Sequence, residues 1–194
     1  MNHSHKINDT AVEGPFDISK WLELGLNWDE YLKRCKENIA RMKSIYRTVS
    51  IPERILESFR QKGPMTIVCI SEDWCPDCAQ NVPLLVKLAE ILPGTSIRLF
   101  FRDRNAALVN RYRTAGKRIV PTAVFFDADF NELGRWAGPS RKAKEWTNAT
   151  LIKDRQVSDI PRKELDEFGP LYDEKFLSEF YLDSLDELSA AVGL

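Results

Sequence analysis

Apolar residues recur along this chain at two periods, and the switch between them divides the sequence. From Asp17 to about Arg60 the spacing is helical. Trp28, Tyr31, Leu32, Cys35, Ile39, Met42 and Ile45 recur at three- and four-residue spacing, which predicts one buried helical face. Asn27 followed by Glu30 forms a capping-box pattern ahead of that face. Ser50 and Glu53 form a second one around Ile51-Pro52, where proline suits the first helical turn. A short helix carrying Ile55, Leu56 and Phe59 is predicted next, closing at Gly63-Pro64. Cys35, on the apolar face, reads as a small core hydrophobe.

The period then changes. Met65 to Ile70 (MTIVCI) is a continuous apolar, β-rich run, as a strand covered on both faces requires. Cys78 to Leu92 is helical in pattern and is broken by Pro93-Gly94. Ile97 to Phe101 reads as a second strand. Ala106 to Ala115 reads as a helix with Gly116 as its stop, and Ile119 to Asp127 as a third strand. Glu132 to Ala137 is its hairpin partner. This order predicts an α/β fold with a mixed sheet. From about Arg141 the helical period returns, and Leu177, Phe180, Tyr181, Leu185, Leu188 and Val192 form an apolar stripe. The expected organisation is a polar tail without order over 1–15, a helical extension over 16–50, an α/β domain over 51–150, and a second helical extension over 151–194 docked on the same domain.

Composition narrows the function classes. The 194 residues carry 28 Lys+Arg against 29 Asp+Glu, a net charge of -1, which argues against a general nucleic-acid binder. No stretch approaches the roughly 20 apolar residues of a membrane span, and the opening MNHSHKINDT lacks the apolar region of a secretory signal. Four cysteines are too sparse for a disulfide-stapled secreted scaffold. The expectation is a cytoplasmic protein, where paired cysteines are reactive rather than structural. Charge is uneven: Arg98 to Arg118 holds seven bases and one acid, and the last 36 residues hold ten acids and three bases. The basic run reads as a solvated helix face that meets the acidic end of the chain, or as a rim that attracts acidic partners.

The candidate chemistry sits at Trp74-Cys75-Pro76-Asp77-Cys78, between the first buried strand and a helix start. In an α/β pattern that context makes C-x-x-C a redox motif. The thiolate is the nucleophile, and a helix N-terminus, with unpaired N–H groups and a positive dipole end, favours it. Cys75 falls at that end, and Cys78 lies one turn inside on the same side, within reach of the first sulfur. Two other readings stand beside the redox one. A zinc site needs four ligands as a rule, and one C-x-x-C lacks a second pair, since His3 and His5 are far away in sequence. A structural disulfide or an inert core pair is the other.

This stretch resembles the thioredoxin family. The WCPDC dithiol follows the first core strand. Pro83, eight residues after Cys75, resembles the proline that kinks the active-site helix, and Val120-Pro121-Thr122 resembles the cis-proline loop beside the cysteines. Gly138, after the hairpin, resembles the glycine lining the same groove. The resemblance implies a thioredoxin-like fold and a thiol–disulfide oxidoreductase needing no organic cofactor, with Cys75 as nucleophile and Cys78 as resolving cysteine. Trp74, Pro76, Asp77, Val120, Pro121 and Gly138 would form the substrate surface. Its partners would be a disulfide-containing substrate and a reductase or low-molecular-weight thiol as electron donor. An oxidase, an isomerase, or a redox-inert binding module using the helical extensions are the alternatives on the same scaffold. One departure is plain: the buried Asp that thioredoxins place six residues before the nucleophile is Cys69 here, so Glu72, Asp73 or water is expected to take the resolving cysteine's proton. Asp77 has two opposed effects, since it repels thiolate charge yet suits a helix start.

Overall fold

The computed structural model describes residues 17–194, so the expectations for the tail, His3 and His5 included, lie outside the described residues. Four helices precede the sheet. Helix α1 (Ile18–Leu24) starts at Asp17, whose carboxylate accepts the Ser19 N–H at 3.0 Å. Helix α2 (Trp28–Arg34) starts at the predicted capping box: Asn27 accepts from the Glu30 N–H at 3.0 Å, and Glu30 accepts from the Asn27 N–H at 2.9 Å.

The single face predicted across Cys35 is two short faces instead. Helix α2 ends at Cys35 and α3 (Ile39–Thr48) starts afresh after Asn38, which is left-handed at φ 55. The reason lies further along the chain: the N–H groups of Lys36 and Glu37 donate to the carboxylate of Asp73, 37 and 36 residues away, at 2.5 and 3.2 Å rather than to a helix. Helix α4 (Glu53–Gln61) has Pro52 at its N-cap with no side-chain cap, so the second predicted box does not form. Glu53 is paired with Arg60.

The sheet holds β1 (Thr66–Ser71), β2 (Ser96–Phe101), β3 (Thr122–Phe126) and β4 (Glu132–Ala137) in the order β2-β1-β3-β4. Strands β1 and β2 run parallel, joined by helix α5 (Pro76–Ile91), as a parallel pair needs a crossover. Strand β3 is antiparallel to β1 and β4, which makes the sheet mixed as predicted. Helix α6 (Ala106–Arg111) is shorter than the pattern suggested, because the chain turns through Ala115 at φ 48 and Gly116 at φ 76. Strand β3 likewise begins at Thr122, and Ile119 to Pro121 are loop. The outer edge of β2 is partly closed by Leu26, which exchanges both backbone hydrogen bonds with Leu99 at 3.0 and 2.8 Å.

Past the sheet come α7 (Arg141–Thr147), α8 (Arg162–Lys175) and α9 (Tyr181–Ala191), with a π turn at Phe176–Phe180 joining the last two. Helix α9 packs against β4, α4 and α5. Phe180, Leu185, Leu188 and Val192 of the predicted stripe are buried there. The segment docks despite its charge because its carboxylates find donors. Asp186 pairs with Arg54 at 2.6 Å and Asp183 with Lys142 at 3.4 Å. Glu187 accepts from the Trp136 indole N–H at 2.8 Å and the Arg141 N–H at 2.7 Å. Among the described residues no helix is long and apolar enough to cross a membrane.

The closest approach of α9 to the sheet is at Gly134, where a Cβ would stand 1.7 Å from the Ala191 carbonyl oxygen. That atom belongs to a helix backbone and cannot turn aside as a side chain would. Gly134→Ala should therefore destabilise the protein by about 3 kcal/mol, the upper range of overpacking costs, by lifting α9 from β4. Chemical denaturation checks this, and a loss under ~0.5 kcal/mol would mean that the contact does not hold α9 in place.

Candidate active site

Strand β1 ends at Ser71, and a four-residue turn delivers Cys75 to the N-cap of α5 in extended conformation, φ -82 and ψ 120. Pro76 occupies the first helical position, where its missing N–H costs no intrahelical bond. The turn is tied down from two directions. The Asp73 carbonyl accepts from the Asn38 amide at 2.8 Å, and the Glu72 carboxylate accepts from the Asp103 N–H at 2.8 Å. Both cysteines of the motif are free thiols. The Cys75 thiol points at the Val120 carbonyl, 3.6 Å away, and the Cys78 sulfur accepts from the Glu72 N–H at 3.5 Å. The Val120–Pro121 peptide bond is cis, and the Pro121 carbonyl accepts from the Gly138 N–H at 2.8 Å, which brings Gly138 to the same loop. The structure thus gathers Cys75, Cys78, Val120, Pro121 and Gly138.

Exposure corrects one expectation. A partly exposed Cys75 beside buried Cys35 and Cys69 follows from the motif, yet Cys75 is only 6% exposed, against 7% for Cys35 and 0% for Cys69 and Cys78. The loop before Pro121 closes on the sulfur, while Trp74, 43% exposed, and Pro76 take the solvent-facing positions. Ionisation separates the four thiols where exposure does not. The hydrogen bond from Cys78 holds the Cys75 thiol below its usual range, helped by the backbone N–H groups of Cys78 and Asp77 and opposed by burial and the Asp77 charge. Burial, with the Cys75 sulfur alongside, pushes Cys78 well up. Burial alone pushes Cys69 to about 12, and burial with the nearby Asp73 charge does the same to Cys35.

Asp77 settles in an unanticipated place. Its carboxylate accepts from the Tyr172 hydroxyl of α8 at 2.8 Å, and its carbonyl from the Asn81 amide at 3.0 Å. Burial raises its pKa, against the Tyr172 hydrogen bond and the Arg41 charge. Next to it, Asp173 of α8 accepts from Arg41 at 2.6 Å and from Gln80 at 2.9 Å. Both helical extensions therefore end at the motif. Between them lies a cleft of about 520 Å³, walled by Trp74, Pro76, Arg41, Phe168 and Tyr172. Trp146 stacks on Phe168 and Tyr172 behind it, and Trp136 is buried in the contact with α9, so both tryptophans pack.

The two carboxylates expected to serve Cys78 are committed elsewhere. Glu72 points to the Asp103 N–H and Asp73 to Lys36 and Glu37. The polar side chains at this point are hydroxyls: Ser71 favours the Cys78 thiolate, and Tyr31 lies 2.8 Å from Ser71. Sequence reasoning passed over both, although strand alternation puts Ser71 on the same face as Cys69. It passed over Tyr172 as well, for which no sequence signal exists.

The basic run contributes one residue at close range. The Arg102 guanidinium lies 4.9 Å from the Trp74 ring centre and pairs with Asp103 at 2.8 Å. Arg104 stands over Phe101, while Arg113 and Arg118 bond to Asn110. The acidic segment pairs with Arg41, Arg54, Lys142 and Arg155 instead.

The order of thiol ionisation has a direct consequence. An alkylating agent at pH 8 should label Cys75 first, with a rate that rises with pH through a midpoint below the ordinary 9.0. Cys35 and Cys69 should stay unlabelled until the pH approaches 12. Peptide mapping of the labelled protein reads this out; equal labelling of Cys35 at pH 8 would show that access rather than ionisation decides.

No curated protein matches the chain. Two solved structures share its fold over most of its length. One is an HIV epitope-scaffold, 16% identical, with a TM-score of 0.64 and covering 91% of this chain and 98% of its own. The other is a protein of unknown function from Pseudomonas aeruginosa, 15% identical, with a TM-score of 0.61 and covering 84% of this chain and 96% of its own. A family model described as thioredoxin matches residues 25–154, which takes in α2 to α7 and so the sheet, the WCPDC turn and the Pro121 loop. The chain belongs to the thioredoxin family.

Proposed function

We propose that this protein is a thiol–disulfide oxidoreductase that reduces disulfides through Cys75 and Cys78. The observation that carries this reading is the placement of the Cys75 thiol at the N-cap of α5, 3.6 Å from the Val120 carbonyl of the Pro121 loop, with a second free thiol, Cys78, one turn inside. The Cys75 thiolate attacks a substrate disulfide, forming one S–S bond and expelling a thiolate that takes up a proton. Cys78 then attacks the Cys75 sulfur, releasing the second substrate thiol and leaving a Cys75–Cys78 disulfide. A reductase or a low-molecular-weight thiol returns the two electrons. Trp74, steadied by Arg102, together with Pro76, Val120 and Pro121, forms the surface on which the substrate chain rests, with Gly138 behind the loop. The setting of such chemistry is the reducing cytoplasm.

The basic flank points to the substrate class. Arg104, Lys117 and Arg118 are exposed on the segments that lead from Trp74's partner Arg102 to the Pro121 loop. Such a flank attracts acidic polypeptides and raises their encounter rate.

Reduced protein should cleave an accessible protein disulfide such as insulin's, and Cys75→Ser should abolish the activity. Cys78→Ser should instead accumulate a covalent mixed disulfide, visible by mass spectrometry, because attack survives and resolution does not. A Cys75→Ser, Cys78→Ser double variant that keeps full biological activity would overturn the reading in favour of a binding module.

The substrate preference has its own measurement. Cleavage of an acidic disulfide peptide should outpace that of a basic one of equal length, and the advantage should shrink as ionic strength shortens the screening length. Arg104→Glu with Arg118→Glu should cut kcat/KM for the acidic peptide roughly tenfold, within the 10–10³ range of electrostatic steering. Equal rates for both peptides at low salt would sink the idea.

A further inference from the structure

Resolution asks more of the chain than attack. Cys78 is wholly buried, and no carboxylate is bonded to its sulfur. Around it stand Cys75 at the helix start, Cys69 and Ser71 on β1, Tyr31 on α2, and Glu72 in the turn. Of these, Glu72 offers its backbone N–H at 3.5 Å while its carboxylate is occupied by the Asp103 N–H. Ser71 is wholly buried one residue before the N–H that reaches the Cys78 sulfur, and its hydroxyl favours the Cys78 thiolate against the effect of burial. The Tyr31 hydroxyl, also without exposure, lies 2.8 Å from the Ser71 oxygen. The Tyr31 ring is held between Phe101 and Trp28, with centroids at 4.7 and 6.3 Å, so its hydroxyl has little freedom to leave.

We propose that Tyr31 and Ser71 are positioning residues for the resolving step, Tyr31 donating to Ser71 and Ser71 donating to the Cys78 sulfur, so that two hydroxyls stabilise the thiolate that a carboxylate does not serve. This rests on the thiol–disulfide exchange reading above. In the mixed disulfide, Cys78 gives up its proton and attacks the Cys75 sulfur. The Cys75–Cys78 bond forms as the bond to the substrate sulfur breaks, and the departing sulfur keeps the electron pair and takes up the proton. The hydroxyls gain and lose no proton over the step; they lower the cost of the buried anion, because a hydrogen bond to the charged form favours it. Burial raises the Tyr31 phenol far above any working pH, so it remains a donor throughout. The arrangement also explains why a neutral thiol is tolerated at Cys69: the polar partner has moved two residues along the same strand face.

Tyr31→Phe keeps the ring stack and removes one hydroxyl; Ser71→Ala removes the other, and Ser71→Thr restores it. With equimolar dithiobis(nitrobenzoate) as substrate, the first equivalent of coloured thiol reports attack by Cys75 and the second reports resolution by Cys78. Both hydroxyl-less variants should release the first equivalent at the parent rate and the second about tenfold more slowly at pH 7, as a one-unit rise in the Cys78 pKa would give. Their resolution profiles should shift to higher pH, and Ser71→Thr should recover the rate. Parent-like resolution in both variants, or an equal slowing of both steps, would overturn the proposal. A second measurement keeps the two readings apart. In a Cys75→Ser background, the Cys78 Cβ carbon shift followed by NMR against pH should move to higher pH on Tyr31→Phe and on Ser71→Ala. If the parent exchanges no disulfide, the oxidoreductase reading falls while this titration still decides the role of the hydroxyls; an unmoved titration refutes it.

Discussion

Everything at the site turns on burying two sulfurs at the start of one helix. Removing a thiol from water disfavours its ionised form, by up to several pKa units when burial is complete. Here Cys75 is nearly buried and Cys78 wholly so, and the two respond in opposite directions. The difference comes from donors. Cys75 sits at the mouth of α5, where Cys78 and the N–H groups of the first turn point at its sulfur. Cys78, one turn inside, supplies a hydrogen bond to its neighbour and is left with one backbone N–H and the Ser71 hydroxyl. The asymmetry between the two thiols is thus a matter of position along one helix.

The helical extensions are fastened to that position rather than appended at a distance. The connection between α2 and α3 hangs on Asp73, and its Asn38 holds the Asp73 carbonyl. From the other end of the chain, Tyr172 bonds to Asp77, and Asp173 joins Arg41 to Gln80. A change in the docking of either arm is therefore felt at the WCPDC turn. Asp77 also acquires a sign: its charge raises the Cys75 pKa, and its own burial limits how readily it carries that charge.

Charge is sorted between the two sides of the site. Carboxylates of the C-terminal segment are absorbed by Arg41, Arg54, Lys142 and the indole of Trp136, which turns an acidic tail into a docked element. The bases from Arg98 to Arg118 keep to their own side, with Arg102 laid over Trp74. Exposed pairs of this kind contribute little to stability.

Much of this was legible in the residue pattern. The succession of strands and helices, the capping box at Asn27, the WCPDC turn and the helical stripe around Leu185 follow from period, caps and spacing, because each depends on neighbours within a few positions. The same local rules misread the helix break at Cys35, which Asp73 imposes through Lys36 from 37 residues away, and the start of α4, where Pro52 displaces the Ser50 cap. They also misjudged the exposure of Cys75, since the covering loop at Val120 arrives only when β3 pairs with β1. The Tyr172 partner of Asp77 and the Tyr31 hydroxyl beside Ser71 belong wholly to the tertiary structure. Tyr31 looked like any other member of an apolar stripe and Tyr172 like any aromatic on an acidic helix. By itself, then, the sequence determined the α/β class and the candidate dithiol. Packing decided which side chains stand behind the dithiol, because Tyr31 reaches Ser71 and Tyr172 reaches Asp77 across 40 and 95 residues.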